Sequence, residues 1–130
     1  MTPSAPATVA AGREATLTLT VTLPGSIHVQ SDKPRDPALI ATALTLDPPP
    51  GVTVNRIEYP PAEDLVQAGQ SKPLAVFGPA FTIAVRVTVA SSLAGQVTIP
   101  ATLRYQACDA SVCYPPARAP VTWTTTAAAM

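Results

Sequence analysis

Between Ala15 and Leu23 the chain alternates without exception, with Leu17, Leu19, Val21 and Leu23 on one face and Thr16, Thr18, Thr20 and Thr22 on the other. A period of two sends each set to its own side of a pleated backbone, so the stretch predicts a half-buried β-strand. Phe81 to Val89 repeats the pattern, as does Val97 to Ala107 through Ile99, Ala101, Leu103 and Tyr105. Pro24-Gly25 turns the chain into the short apolar stretch Ile27 to Val29, and Asp32 to Pro37 reads as a polar loop. Ile40 to Leu46 predicts a further strand, stopped by Asp47-Pro48-Pro49-Pro50-Gly51. Val52 and Val54 share one parity while Ile57 and Tyr59 share the other, so a bulge near Asn55 would keep all four on the core side. Residues 62 to 73 have no period and predict a connection with at most one helical turn. Pro100 has no N–H to give, which places its strand at an edge or leaves its polar side unpaired there.

Sixteen prolines and only 12% charged residues strengthen the bias toward strands and turns. The predicted architecture is all-β, an antiparallel sandwich of immunoglobulin-like type. A chain of 130 residues suffices for one domain with a sizeable core. Its ends, rich in Ala, Thr, Ser and Pro, predict a flexible tail over residues 1–9 and a linker over 125–130, leaving a folded domain at 10–124. Lys+Arg and Asp+Glu balance at 8 each, so charge points neither to nucleic acid nor to an anionic membrane surface. No apolar run approaches the roughly 18 residues of a spanning helix, so direct membrane insertion is not expected. The opening MTPSAPATVA lacks the charged and apolar regions of a secretory signal. The chain is therefore expected to be cytosolic, or else cut from a longer secreted or anchored precursor.

The chemistry-bearing feature is a pair of cysteines in the stretch Tyr105-Gln106-Ala107-Cys108-Asp109-Ala110-Ser111-Val112-Cys113-Tyr114-Pro115-Pro116. If Asp109 to Val112 form a hairpin loop, the two cysteines oppose each other with Cα atoms about 4.5–5.5 Å apart, within reach of a disulfide. Closing so short a loop stabilises by only about 2 kcal/mol, less than a staple between distant strands would give. With Val97, Ile99, Leu103 and Tyr105 pointing inward, Cys108 falls on the outward side with Arg104 and Gln106. An outward disulfide is open to attack by a partner's thiolate. No lysine, histidine or helix N-terminus adjoins either cysteine and Asp109 is next to Cys108, so strong thiolate activation is not expected. Taken alone, the spacing fits a passive structural disulfide or two free thiols equally well. It is neither the C-x-x-C of thioredoxins nor a zinc knuckle, and with His28 as the single histidine no metal site or other cofactor is expected.

The same stretch resembles the active-site hairpin of the N-terminal periplasmic domain of the thiol:disulfide interchange protein DsbD and its relatives, with their Y-Q-x-C…C-x-P-P signature. Ile27-His28-Val29-Gln30-Ser31-Asp32-Lys33-Pro34 is similar to that family's H-x-x-S-x-K-P segment, and Ile57-Glu58-Tyr59-Pro60 to its strand ending in Tyr-Pro. The resemblance spans about residues 26 to 123. It implies an immunoglobulin-like domain that takes electrons from a thioredoxin-like or membrane-embedded partner and reduces extracytoplasmic thiol proteins, including cytochrome c maturation factors. It implies Cys108 and Cys113 as the redox pair, with Cys113 the sulfur of mixed disulfides and Cys108 the resolving one. It places the chain in the periplasm, as a monomer that docks partners around Tyr105, Gln106, Asp109, Tyr114 and Pro115.

Two positions depart from the family pattern. Its best-known members have five residues between the cysteines, where this chain has four. They also cover the disulfide with an aromatic on a cap loop, whereas Glu63 to Pro73 holds no Phe, Tyr or Trp, so the shield here is either absent or differently built. Phe77, the nearest aromatic, reads as core. His28 reads as a structural residue at a strand end rather than a proton carrier. Val121 and Trp123 would fall opposite Pro100 and Thr98 on the polar face if pairing ran straight on from the hairpin, and a register break at Pro115-Pro116 would return Trp123 to the core. Two rival readings remain at this stage: a non-redox interaction domain with a structural disulfide, and copper handling through Cys108, Cys113 and His28.

Overall fold

The computed structural model describes residues 1–129. It has twelve strands: β1 (Thr2–Ser4), β2 (Thr8–Ala10), β3 (Glu14–Thr22), β4 (His28–Gln30), β5 (Ala43–Leu46), β6 (Val52–Glu58), β7 (Glu63–Leu65), β8 (Leu74–Phe77), β9 (Ala80–Val89), β10 (Gly95–Tyr105), β11 (Ala107–Cys108) and β12 (Ala117–Ala128). They form three four-stranded sheets, ordered β1-β3-β9-β6, β2-β12-β10-β5 and β11-β4-β8-β7. All pairings are antiparallel except that of β2 with β12.

The alternating stretches do what their period demands. Leu17, Leu19 and Val21 of β3 and Ile83, Val85, Val87 and Val89 of β9 bury one face of the first sheet. Val97, Ile99, Ala101 and Leu103 of β10 with Val121 and Trp123 of β12 bury the facing side of the second, and the two sets join in one core. The Trp123 indole Nε1 donates to the Thr18 carbonyl at 2.8 Å, linking the two sheets directly. The predicted bulge is present, with the register of β6 against β9 shifting between Val54 and Arg56. Phe77 is fully buried and lies between the rings of Tyr59 and Phe81, at centroid distances of 6.3 and 4.9 Å.

Three expectations change. Much of the ends lies in paired strands: β1 lies along β3, and β2 and β12 bury Val9 and Ala127, while Met130 of the predicted linker lies outside the described residues. Residues 62 to 73 contain the short strand β7 in place of any helical turn. The strand predicted from Ile40 begins at Ala43, because the backbone N–H of Ile40 bonds the Gln106 side chain at 2.7 Å and that of Thr42 bonds the Ser31 carbonyl at 3.1 Å. Pro100 lies on an inner strand, paired with Thr122 on one side, while its carbonyl accepts from Asp47 N at 2.8 Å on the other, just where β5 ends. Of the two ways to accommodate its missing N–H, the second applies.

The third sheet positions the cysteines. It is assembled from short continuations of the long strands: β4 follows β3 in the chain, β8 precedes β9, and β11 continues β10 beyond Gln106. The chain thus leaves the sandwich at Tyr105 and enters a different sheet two residues later.

Candidate functional site

Cys108 and Cys113 are bonded to each other, with Cα atoms 4.0 Å apart in an antiparallel bridge. The hairpin is closed above the bridge by Asp109 N to Val112 O and below it by Tyr114 N to Ala107 O, both at 2.8 Å. These bonds make the cysteines a non-hydrogen-bonded pair, the kind in which side chains approach most closely. The tip is held by Asp109, whose carboxylate accepts from the backbone N–H groups of Ser111 (2.7 Å) and Val112 (2.8 Å) and from the Tyr114 hydroxyl. Aspartate suits this position because its short side chain can bond its own backbone two and three residues on.

The two sulfurs are not equivalent. Cys108 has no exposed surface, whereas Cys113 is partly exposed and opens on a cleft of ≈ 670 Å³ lined by Arg35, Leu39, Gln67, Lys72 and Leu74 among others. The outward placement expected for Cys108 is therefore overturned. That expectation extended the parity of β10 through Gln106, but β10 ends at Tyr105, and β11 pairs with β4, Cys108 opposite His28. A strand that changes sheets starts a new parity. The hairpin tip remains outside, with Ala110, Ser111 and Val112 exposed. It is braced rather than free-standing, since Ala68 N donates to the Ala110 carbonyl at 2.8 Å.

The disulfide is shielded by amides where an aromatic cap is missing. The Gln30 Nε2 donates to Cys108 Sγ at 3.1 Å and stands 3.8 Å from Cys113 Sγ. The Gln67 Nε2 lies 3.7 Å from Cys113 Sγ and donates to the Asp109 carbonyl at 3.1 Å. Gln67 belongs to the segment Glu63 to Pro73 that corresponds to the family's cap loop, so the shield is present but differently built. Neither glutamine, nor Arg35 or Lys72 on the cleft wall, stands out in the sequence. Gln30 lies inside the stretch similar to the H-x-x-S-x-K-P segment, but at one of its unspecified positions.

Of the flanking residues, Gln106 is a two-sided strap, its Oε1 accepting from Ile40 N and its Nε2 donating to the Tyr114 carbonyl at 3.1 Å. Tyr105 is half-buried against the core, while Tyr114 and Pro115 are exposed beside Cys113. His28 bonds the Ser26 carbonyl through Nδ1 at 3.1 Å. Among the described residues, no group of three or more His, Cys, Asp or Glu side chains is placed to hold a metal ion.

The Asp109–Tyr114 contact shifts both groups. The Tyr114 hydroxyl, then the Val112 and Ser111 N–H groups, hold the Asp109 carboxyl below the usual carboxylate value, and the carboxylate in turn raises the Tyr114 phenol above its own. A depressed carboxyl contributes stability above its unfolded value and loses it as pH falls through the folded one; a raised phenol contributes below its unfolded value and loses it as pH rises through the folded one. The contact is accordingly complete across the neutral range. We expect Tyr114 to ionise later than an ordinary tyrosine in an ultraviolet titration, and Asp109→Ala to return it toward the usual value. Titration of Tyr114 at the ordinary value in the unsubstituted protein would contradict the contact.

The chain matches the family model described as "Thiol:disulfide interchange protein DsbD, N-terminal" over residues 2–124. It belongs to the DsbD N-terminal domain family. Among solved structures it is similar to the DsbD N-terminal domain of Neisseria meningitidis, crystallised in the reduced form. That match has a TM-score of 0.58 and 14% sequence identity, covering 89% of this chain and 82% of the other. It shows a shared fold, the all-β immunoglobulin-like sandwich. No curated protein matches. Family membership together with the Cys108–Cys113 disulfide makes this a thiol:disulfide interchange domain. Among the described residues no helix is long and apolar enough to cross a membrane.

Proposed function

We propose that the domain relays reducing equivalents in the periplasm, taking them from a thioredoxin-like or membrane-embedded partner and passing them to oxidised extracytoplasmic thiol proteins. One observation carries the reading: within a single disulfide, one sulfur is sealed and the other opens on a cleft. Relay by a dithiol needs one sulfur that a partner can reach and a second that resolves the mixed disulfide, and a difference in access assigns the two roles. In the reductive direction the Cys113 thiolate attacks the partner's disulfide, forming a mixed disulfide and expelling the partner's first thiolate, which takes up a proton. Cys108, losing its proton, then attacks Cys113 Sγ. Its own disulfide re-forms and the partner leaves with two electrons and a second thiol. Tyr114, Pro115 and the exposed tip surround the point where that partner docks.

The test mixes the domain with a thioredoxin-like protein carrying a single active-site cysteine, with that cysteine activated as a mixed disulfide with thionitrobenzoate. Cys108→Ser should accumulate a covalent complex through Cys113, and Cys113→Ser should give little or none. Trapping through Cys108 alone would reverse the roles. A passive structural disulfide, the reading that the full burial of Cys108 favours, is separated by its reduction potential, which would lie below about −300 mV.

A further inference from the structure

Gln30 is fully buried, yet its side chain spends its polar atoms unusually. Among the described residues its Nε2 has only the two cysteine sulfurs as partners, Cys108 Sγ being the nearer at 3.1 Å, and its Oε1 has none. Burying an amide with an orphaned oxygen is costly, and an unbranched apolar side chain of the same length would fill the space without that cost. Its backbone is fixed on both sides: Gln30 N donates to the Gln106 carbonyl at 3.0 Å, Gln30 lies opposite Val76 of β8, and the Thr42 hydroxyl donates to the Gln30 carbonyl at 2.5 Å. The sheet therefore aims the amide at the sulfur, and nothing in the packing of an oxidised, neutral disulfide requires a donor there.

The requirement appears during exchange. When an incoming thiolate attacks Cys113 Sγ, the Cys108–Cys113 bond breaks and its electron pair stays on Cys108 Sγ. In the reverse step Cys108 must lose its proton to attack. Either way negative charge develops on a sulfur with no exposed surface, and burial alone disfavours it. Asp109, next in the chain, adds a negative neighbour.

We infer that Gln30 is a catalytic hydrogen-bond donor that stabilises the charge developing on Cys108 Sγ, as an oxyanion hole does for oxygen. The inference rests on the exchange reading of the disulfide. Once Cys108 is a neutral thiol, the free Oε1 gives the same amide an acceptor for the S–H by turning over. One side chain then serves both forms of the sulfur.

The test uses the whole domain with dithiothreitol as sole reductant, so no protein partner enters it. Attack on Cys113 Sγ releases Cys108 as a thiolate that takes a proton from water, and the second thiol of dithiothreitol closes its ring to free Cys113. A hydrogen bond to a charged sulfur corresponds to about tenfold in rate or more, so Gln30→Met should be reduced about tenfold more slowly. Its Cys108 thiol, followed by the β-carbon resonance of labelled cysteine in the reduced protein, should titrate about one unit higher. An unchanged rate with an unchanged titration overturns the inference. In the unsubstituted reduced protein the Gln30 side-chain amide resonances should shift in step with Cys108 ionisation. If they do not respond, the inference fails whether or not Gln30→Met folds. Refusal of the unsubstituted disulfide to react with dithiothreitol at all would remove the exchange reading itself, and this inference with it.

Discussion

Iodoacetamide should modify Cys113 of the reduced domain on the order of 100-fold faster than Cys108, if reaching Cys108 requires a local opening of about 3 kcal/mol. The asymmetry follows from where the two strands lie. Cys108 sits in β11, paired with β4 and beneath the Gln30 amide, with none of its surface exposed; Cys113 follows the turn and opens on the cleft between residues 35–39 and 67–74. Reduction is not expected to erase the difference. So short a loop contributes only about 2 kcal/mol, and the hairpin keeps its backbone bonds and its Asp109 tip. The rates are best measured on Cys108→Ser and Cys113→Ser separately, because each then carries one reactive sulfur. Equal alkylation of the two variants would mean that the reduced hairpin opens freely, and the division into an attacking and a protected sulfur would have no structural basis.

Much of this site is legible in the sequence, and the part that is not has one cause. The hairpin, the disulfide across it and the exposed tip follow from local facts: a four-residue loop, opposed positions and an aspartate able to bond its own backbone. The direction of Cys108 is a non-local fact, decided by which sheet β11 joins. Parity counted along β10 holds to Tyr105 and fails at Gln106, whose side chain leaves the ladder to bond Ile40 and Tyr114. The shield is non-local in the same way. Gln30 and Gln67 lie 78 and 46 residues from the cysteines they approach, and no spacing rule connects them. The charges miss for a similar reason: no cation adjoins either cysteine in sequence, yet Arg35 and Lys72 line the cleft on which Cys113 opens.

The fold shows the converse. Long alternating strands are read correctly because their period reports burial directly, as in β3, β9 and β10. The ends are misread because their inward residues are small or weakly apolar. Thr125 and Ala127 are buried in β12 just as Val121 and Trp123 are, but a run of Thr and Ala conceals the period. At the N-terminus, strands of three residues with a proline between them give too little sequence to show any period at all.

Trp123→Ala should be the most damaging single substitution outside the hairpin, lowering stability by about 3–5 kcal/mol. The register explains why this residue is available to the core. Pairing in the hairpin runs Cys108 to Cys113, and had it continued unbroken Trp123 would face Thr98; past Pro115-Pro116 it slips by one, so Trp123 pairs with Ile99 and Val121 with Ala101. One residue of slip turns the whole inward face of β12 over. The indole, 1% exposed, then fills the space between the sheets, and its N–H reaches the Thr18 carbonyl of the opposite one. Truncation leaves a cavity that the two sheets cannot close by small movements, together with a carbonyl deprived of its partner. With total stabilities of about 5–15 kcal/mol, such a loss should lower the melting temperature by roughly 10–20 °C. Trp123→Phe restores most of the volume but not the N–H, and should recover more than half of the loss in a thermal melt followed by far-ultraviolet circular dichroism. A Trp123→Ala protein that melts within about 3 °C of the original would show that the slip in register leaves the indole outside the core after all.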